Sequence, residues 1–343
     1  MSVAGLDQQI KQLLTEAGFN PQIDSLKECV RGGNNRTYQL KTPDGCFALK
    51  QYFRRADDKR DRLASEFAFL TYAQQVAPHA VPKSYCQNIT TGLALYEFIE
   101  GNAMKAHELQ ASDMMQASQF FCALNQPKHK LQANALPIAS EACFNIQTHL
   151  DVVSARIVEL NKMTPETAED QLARVLIAKL NEDWQKILAD IHQQTQLDLE
   201  YLLPAEERCI SPSDFGFHNA LRRPDGRICF LDFEYAGWDD PAKMIGDFFS
   251  QLAVPVDAKY FNLFVETAMQ PFVMNEQLMK RIELLRMVYQ VKWCCIALNI
   301  FLPVHLARRQ FANPELDVVA LKKTQLCKAE LLMNNWKANY GIC

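Results

Sequence analysis

The stretch ISPSDFGFHNALRRPDGRICFLDFEY, residues 210–235, places two carboxylates and a carboxamide in one short segment. Asp214 is followed five positions later by Asn219, and Asp232 comes thirteen residues further on. Asp232 interrupts an otherwise apolar run, Ile-Cys-Phe-Leu-Asp-Phe, in which we expect a central strand. Because a carboxylate in such a run is costly to desolvate without a partner, the sequence predicts a specific role for Asp232.

The three side chains offer oxygen atoms of the kind that magnesium prefers. This ion takes few ligands from a protein and completes its shell with waters and phosphates. Asn219 and Asp232 could hold it, which would leave Asp214 free to accept a proton from a hydroxyl group. The alternative is that all three are turn residues, which accounts for Asp214 and Asn219 but not for Asp232.

Lys50 lies in the apolar stretch CFALK, residues 46–50. In a strand, alternate residues share a face, so Lys50 would lie beside the small side chains of Cys46 and Ala48. That arrangement leaves room for a flat anionic ligand. Taken alone, the pattern favours a lysine at the solvated edge of a sheet.

Glu66 changes that balance. Leu63, Glu66, Phe67 and Leu70 follow the spacing of one helix face, so Glu66 falls in an apolar stripe where a carboxylate needs a cation. Lys50 on the preceding strand is the favoured partner, and Arg62 on the same helix is the alternative.

The pattern of the whole chain predicts an α+β protein. The first hundred residues read as a five-stranded antiparallel sheet with a helix inserted after the third strand, and Pro-Asp-Gly supplies a turn. After Gly101 helices dominate, apart from a β-rich segment near 208–233. We therefore expect two domains, an N-terminal lobe over 1–100 and a C-terminal lobe over 101–343. The expected helices of the second lobe cover 111–125, 139–162, 166–195, a start near 242, 257–270, 276–300 and 315–338.

The order of these segments resembles the small-molecule branch of the protein-kinase-like fold, the aminoglycoside phosphotransferases and choline/ethanolamine kinases. The matching stretches are GGNNRTY, FALK, ASEFAFL, YEFIEG, SPSDFGFHNAL and LDFEYAGWDDPAKMIGDF, between about residues 25 and 250. Each motif is weak alone, whereas six in register are specific. The resemblance implies a bilobal fold with a nucleotide-binding N-terminal lobe and a catalytic, substrate-binding C-terminal lobe.

The resemblance also implies roles in phosphoryl transfer, where catalysis is mostly positioning and charge neutralisation. Backbone near Gly32 and Gly33 would cover the ATP phosphates, and Lys50, held by Glu66, would bind the α- and β-phosphates. The hinge with Glu97 and Ile99 would meet adenine. Asn219 and Asp232 would bind Mg²⁺, Asp214 would orient and deprotonate the acceptor hydroxyl, and Asp247 would brace the catalytic loop, unless it only begins a helix.

Two departures from the family pattern concern the catalytic loop and the glycine loop. Pro212 stands where the family usually has a histidine two residues before the catalytic aspartate, and the glycine loop has only two glycines. We interpret His218 as a loop filler rather than a base.

The acceptor is left open by the sequence. Glu234, Asp239 and Asp240, with Tyr235 and Trp238, would suit a cation near the pocket mouth. The alternative, which we favour, is that Asp-Asp-Pro starts a helix and the two aromatic residues pack. Tyr289, Lys292 and Trp293 would line the substrate side without deciding the substrate. An amino-alcohol such as choline or ethanolamine, an aminosugar or a plain sugar all fit.

Composition limits the class of protein. The net charge of −4 argues against a nucleic-acid partner, and eleven cysteines without a CxxC pair favour reduced thiols in the cytoplasm. The N-terminus lacks the apolar core of a signal peptide, and the apolar stretch WCCIALNIFLPV reads as a buried helix end. We expect neither a membrane partner nor an obligate protein partner.

Two alternatives to an active small-molecule kinase stay open. A protein kinase would use the same catalytic residues, but the segment from Gly237 to Asp247 is short for a peptide-docking loop. A nucleotide-binding scaffold without turnover is the other alternative, and Pro212 and the sparse glycine loop motivate it.

Overall fold

The computed structural model describes residues 3–29, 35–53, 61–312 and 315–340. The chain divides into two compact units that are not contiguous in sequence. The first comprises the described residues of Met1–Ser140, Ile210–Trp238 and Asn262–Pro271, and the second those of Glu141–Cys209, Asp239–Phe261 and Phe272–Cys343. The predicted boundary near residue 101 stays a prediction.

The first unit contains a five-stranded antiparallel sheet. Its strands are β1 (Ser25–Cys29), β2 (Arg36–Thr42), β3 (Gly45–Gln51), β4 (Ser84–Asn88) and β5 (Leu93–Glu97), in the order β1-β2-β3-β5-β4. Helix α2 (Arg62–Val76) follows β3. This is the sheet and inserted helix that the sequence predicts. Helix α1 (Val3–Glu16) packs its apolar residues Ile10, Leu13 and Leu14 into the same core as Leu40, Phe47 and Leu49.

The β-rich segment near residue 210 forms short strands. They are β7 (Cys209–Ser211), β8 (Ala220–Arg222), β9 (Ile228–Phe230) and β10 (Gly237–Asp239). Strands β8 and β9 form a hairpin with Ala220 opposite Phe230, and the two-residue strand β6 (Asn102–Ala103) pairs with β8. The expectation that Asp232 lies within a central strand is wrong, because β9 ends at Phe230.

Helices make up most of the rest of the chain. They are α3 (Ala111–Leu124), α4 (Pro127–Lys130), α5 (Ile146–Leu160), α6 (Ala168–Gln194), α7 (Pro241–Ser250), α8 (Phe261–Ala268), α9 (Glu276–Leu298), α10 (Pro303–Ala312) and α11 (Val318–Tyr340). The predicted helix over 139–162 begins only at Ile146, after the N-cap Asn145. Upstream of it, the Ala139 N–H donates to the Trp238 carbonyl in an extended segment. Together the sheet and helices give the predicted α+β class of fold.

Helix α9 is the most apolar long helix that the structure describes. The stretch Glu276–Phe301 is long and apolar enough, by length and composition alone, to cross a membrane, but 67% of its most apolar 18-residue segment is buried inside the protein. Such burial is typical of a core helix. The ten cysteines among the described residues are all free thiols, as the sequence predicts.

Candidate active site

Lys50, Glu66 and Asp232 meet at one point of the first unit. The Lys50 Nζ atom lies 2.6 Å from Glu66 Oε2 and 2.6 Å from Asp232 Oδ1. The predicted Lys50–Glu66 ion pair is therefore present, although the two residues come from a strand and a helix sixteen positions apart. The alternative partner, Arg62, has its guanidinium 3.8 Å from the Glu234 carboxylate.

Local sequence signals place Glu66 in this position. Helix α2 begins after Asp61, whose side chain accepts a hydrogen bond from the Ala64 N–H as an N-cap. One helical turn later, Glu66 follows the buried Leu63 and precedes the buried Leu70. The apolar stripe therefore carries the carboxylate into the interior, where Lys50 meets it.

Glu66 is held by more than the lysine. The Tyr52 hydroxyl donates to Glu66 Oε2 over 2.5 Å and lies 2.8 Å from the Tyr96 hydroxyl. The backbone N–H of Phe233 donates to Glu66 Oε1 over 3.3 Å, which ties the residue after Asp232 to helix α2. The sequence interpretation missed both tyrosines, and the only available signal was that Tyr52 shares a strand face with Lys50.

Burial and charge act against each other in this cluster. Burial alone would lower the pKa of Lys50, but Asp232 and Glu66 outweigh it and raise the pKa well above its usual value. Burial raises the pKa of Glu66, and the Lys50 ammonium offsets part of that rise. Lys50 is therefore a fixed positive charge at any physiological pH.

The β8–β9 hairpin brings Asn219 next to the segment of Asp232. Asn219 immediately precedes β8, and its carbonyl oxygen accepts a 2.7 Å hydrogen bond from the Leu231 N–H. Asp232 has a φ of 66°, in the left-handed region that non-glycine residues seldom adopt. Such strain concentrates at functional sites, and this conformation leaves the Asp232 side chain 40% exposed while it contacts Lys50.

Asp214 lies in the loop after β7, and the side chains of Asn219 and His218 contact its carboxylate. The Asn219 Nδ2 group donates to Asp214 Oδ2 over 3.3 Å and to the Asp214 carbonyl over 3.0 Å. His218 Nε2 lies 3.2 Å from Asp214 Oδ1, so His218 is not the loop filler that we expected. Ser213, just before Asp214, has a φ of 65°, a second strained position in this segment.

A buried aromatic and amide framework supports this loop. Phe215 and Phe217 are buried, and the Phe215 and Phe230 ring centroids lie 4.9 Å apart. The fully buried Asn125 accepts the Ile210 N–H over 2.7 Å and donates to the Ile210 carbonyl over 3.0 Å. The strand that leads into the loop is therefore fixed by the residue that caps the C-terminal end of helix α3, rather than by a side chain at position 212.

The predicted hinge follows strand β5. The Glu97 carboxylate pairs with Arg223 over 3.0 Å and accepts the Lys83 N–H over 3.1 Å. Ile99 is buried against Leu221 and Cys229. Gly32 and Gly33, predicted to cover the phosphates, lie outside the described residues.

The acidic residues after Asp232 do not form an open cation site. Asp239 and Asp240 are fully buried, so the expected place at a pocket mouth is wrong for both. Asp239 pairs with Lys243 over 2.6 Å, and Asp240 caps helix α7 while accepting a 2.8 Å hydrogen bond from Arg281 Nε. The helix-start interpretation of Asp-Asp-Pro is therefore the correct one.

Other residues predicted near the acceptor are also engaged by the protein. Glu234 is buried beside Arg62 and bonds Asn35, and Trp238 Nε1 donates to the Ala133 carbonyl over 3.2 Å. Asp247 lies inside helix α7 rather than at its start.

The carboxylate of Asp247 has its described partners in the helical second unit. Its Oδ1 atom accepts a 2.7 Å hydrogen bond from Trp293 Nε1 and lies 3.5 Å from Lys292 Nζ, and its Oδ2 atom lies 3.5 Å from Lys243 Nζ. Its predicted bracing of the Asp214 loop stays a prediction.

The donor set near Asp232 fits magnesium. Among the residues that the structure describes, no group of three or more His, Cys, Asp or Glu side chains could hold a metal. Magnesium needs only one or two protein oxygens when phosphates complete its shell. Asn219 directs its Nδ2 group to Asp214 and so presents its amide oxygen elsewhere, and Asp232 uses only Oδ1 for Lys50.

Solved structures share this fold at low sequence identity. A choline/ethanolamine kinase family protein from Mesorhizobium loti superposes with a TM-score of 0.59 at 15% identity, covering 97% of this chain and 95% of that one. Choline kinase from Cryptosporidium parvum Iowa II gives 0.60 at 12% identity, covering 99% and 98%. Spectinomycin phosphotransferase, in complex with ADP and spectinomycin, gives 0.56 at 12% identity, covering 95% and 98%.

The sequence itself also matches a family. A search of the curated proteins finds no significant match. The model of the phosphotransferase enzyme family, by contrast, matches residues 25–260, which include Lys50, Glu66, Asp214, Asn219 and Asp232. That span is more than half of the chain, so the protein belongs to the phosphotransferase enzyme family.

Proposed function

We propose that the protein is an ATP- and Mg²⁺-dependent kinase that transfers the γ-phosphate of ATP to a hydroxyl group of a small molecule. One observation carries the proposal: a buried, permanently charged Lys50 lies 2.6 Å from carboxylates of both Glu66 and Asp232. Burying a lysine is costly unless it is paired. Its two carboxylate partners come from separate parts of the fold, which supports a functional role for this charge in addition to its effect on stability.

Each residue has a defined task in the proposed reaction. Lys50 binds the α- and β-phosphates and Glu66 holds its ammonium group in place. Asn219 and Asp232 hold Mg²⁺, which when bound neutralises phosphate charge. Asp214 accepts the proton of the acceptor hydroxyl as the oxygen attacks the γ-phosphorus and the bond to ADP breaks.

The N-terminal segment supplies the rest of the nucleotide site. We assign residues 1–100 to the nucleotide-binding lobe and 101–343 to the catalytic and substrate lobe. The hinge at Glu97–Ile99 meets adenine, and the backbone at Gly32 and Gly33 covers the phosphates. An ATP-dependent reaction and the free described cysteines both suit the cytoplasm, which we include in the proposal.

The acceptor is an amino-alcohol, an aminosugar or a sugar. Similar structures are those of choline and ethanolamine kinases and of a spectinomycin phosphotransferase, which favours hydroxyl compounds that carry an amine. Asp239 and Asp240 are not the residues that bind such an amine, because both are buried and paired within the protein.

An ADP-release assay tests the proposal. The purified protein is incubated with Mg²⁺ and ATP and screened against choline, ethanolamine, hydroxyl-bearing amino acids, hexoses and aminosugars. At least one acceptor should stimulate ADP release and gain a phosphate by mass spectrometry, and Asp214→Ala should abolish both. ATP binding without turnover against every acceptor would favour the scaffold alternative, and phosphate transfer to proteins alone would favour a protein kinase.

A further inference from the structure

His218 lies against the carboxylate that the proposed function makes the base. Its Nε2 atom is 3.2 Å from Asp214 Oδ1, and its side chain is 18% exposed against 37% for Asp214. It belongs to a short 3₁₀ turn, Phe217–Asn219, whose first residue is fully buried. The backbone of His218 is therefore anchored, and its ring can reach Asp214 from a fixed point.

The surroundings of the ring determine its tautomer. His218 Nδ1 is buried and has no hydrogen-bond partner among the described residues. A proton on Nδ1 would leave a buried donor unsatisfied, which costs more than an unpaired acceptor lone pair. The neutral Nε2–H tautomer avoids that cost and directs its proton at Asp214 Oδ1.

His218 and Asn219 together hold both carboxylate oxygens of Asp214. Asn219 Nδ2 donates to Oδ2 over 3.3 Å while His218 contacts Oδ1. Pro212 has no side-chain donor and contributes none to the loop from the position two residues before Asp214.

We propose that His218 is a positioning residue that orients the Asp214 carboxylate for proton acceptance by donating a hydrogen bond from Nε2 to Oδ1. The inference rests on the proposed function, because it assumes that Asp214 is the base. It assigns no proton transfer to His218 itself. The ring fixes the carboxylate plane, and the acceptor proton goes to Asp214.

Three substitutions separate this role from simple packing. Glutamine can place its amide N–H near the position of Nε2, whereas asparagine is too short and leucine has no donor. Losing a hydrogen bond to a charged group predicts that His218→Asn and His218→Leu lower kcat roughly 10- to 100-fold. His218→Gln should stay within about 3-fold of wild type, and the KM for ATP should be nearly unchanged in all three variants.

The assay measures ADP release from Mg²⁺ and ATP with water as the acceptor, so it needs no identified substrate. A His218→Leu enzyme with wild-type kcat, beside an inactive Asp214→Ala enzyme, would overturn the inference and leave the proposed function intact. An active Asp214→Ala enzyme would instead remove the proposed function. Equal losses for glutamine and leucine at position 218 would also overturn the inference.

A spectroscopic measurement tests the same hydrogen bond without depending on turnover. Long-range ¹H–¹⁵N spectra report which imidazole nitrogen carries the proton, and the missing signal in His218→Gln assigns the resonance. Wild type should show the neutral Nε2–H form of His218, and Asp214→Ala should give a mixture of tautomers. The same pattern in both proteins would refute the proposed hydrogen bond.

Discussion

Removing Glu66 tests the centre of the site directly. Glu66→Ala deletes the acceptor for three donors, the Lys50 ammonium, the Tyr52 hydroxyl and the Phe233 N–H. Breaking a buried ion pair by deleting one partner typically costs about 3–5 kcal/mol. Because Asp232 still pairs with Lys50 at 2.6 Å, we expect the lower half of that range.

The size of the protein converts this energy into a melting temperature. An unfolding entropy of about 2.1 cal/mol/K per residue, over 343 residues, makes 1 kcal/mol worth roughly 1.4 °C. Glu66→Ala should therefore melt about 4–6 °C below wild type. Glu66→Gln keeps the shape and one acceptor oxygen, so its melting temperature should lie between those of Glu66→Ala and wild type.

A surface glutamate provides the matched control. Glu276 pairs with Lys280 over 2.8 Å, but its side chain is 80% exposed. Exposed pairs contribute little, so Glu276→Ala should change the melting temperature by less than about 1 °C. The reasoning fails if differential scanning fluorimetry gives Glu66→Ala no larger a shift than this control.

Three further predictions concern other parts of the protein. Burial would raise the pKa of Asp240, but Arg281 and His149 outweigh it and lower that pKa, so the ionised Asp240 stabilises the fold above its ordinary pKa and this stabilisation is lost as pH falls. The comparison is with Asp240→Asn, which keeps the helix cap. Wild type should melt higher than this variant at pH 7, and the difference should shrink below about pH 4. Gly237→Ala would place a Cβ atom against a backbone carbonyl oxygen, so this variant should melt well below wild type. Gly226→Ala is the control, because no atom of the described residues lies near its Cβ position and only the positive φ of Gly226 should lower the melting temperature, by a smaller amount. Asp113 is fully buried and accepts two hydrogen bonds from Arg222 on β8. Urea titration of Asp113→Ala should therefore show a free energy of unfolding about 2–4 kcal/mol below that of wild type, and a loss below about 0.5 kcal/mol would contradict this.

Periodicity was sufficient to predict the meeting of Lys50 and Glu66. Alternation along β3 sets the face of the lysine, and the helical stripe of α2 carries the glutamate inward. Each signal extends over fewer than ten residues, and because the helix directly follows the strand, the two side chains can meet. A second Pro-Asp-Gly sequence, at Pro224–Gly226, likewise forms the turn of the β8–β9 hairpin, which brings Asn219 to Leu231.

Features that depend on distant partners could not be predicted in this way. Asp240 reads as a helix cap from its neighbours, but its complete burial depends on His149 and Arg281, 91 and 41 positions away. Helix α10 was missed because Pro303 reads as the end of α9, although proline is equally suited to the first turn of a new helix. The left-handed backbone of Asp232 carries no sequence signal, since no glycine marks it.

The two carboxylates on Lys50 differ in a way that assigns them different functions. The Glu66 side chain is 5% exposed and accepts from Tyr52 and Phe233, so it cannot leave the lysine without stranding other donors. The Asp232 side chain is 40% exposed, and because its backbone is strained, a change of its conformation costs less free energy. In the proposed function, Asp232 would therefore be the partner that moves away from Lys50 when phosphates approach and becomes available to Mg²⁺, while Glu66 would keep the ammonium group in place. The proposed function thus requires that a substitution at Glu66 impairs stability and ATP binding together, whereas one at Asp232 impairs turnover with little loss of stability.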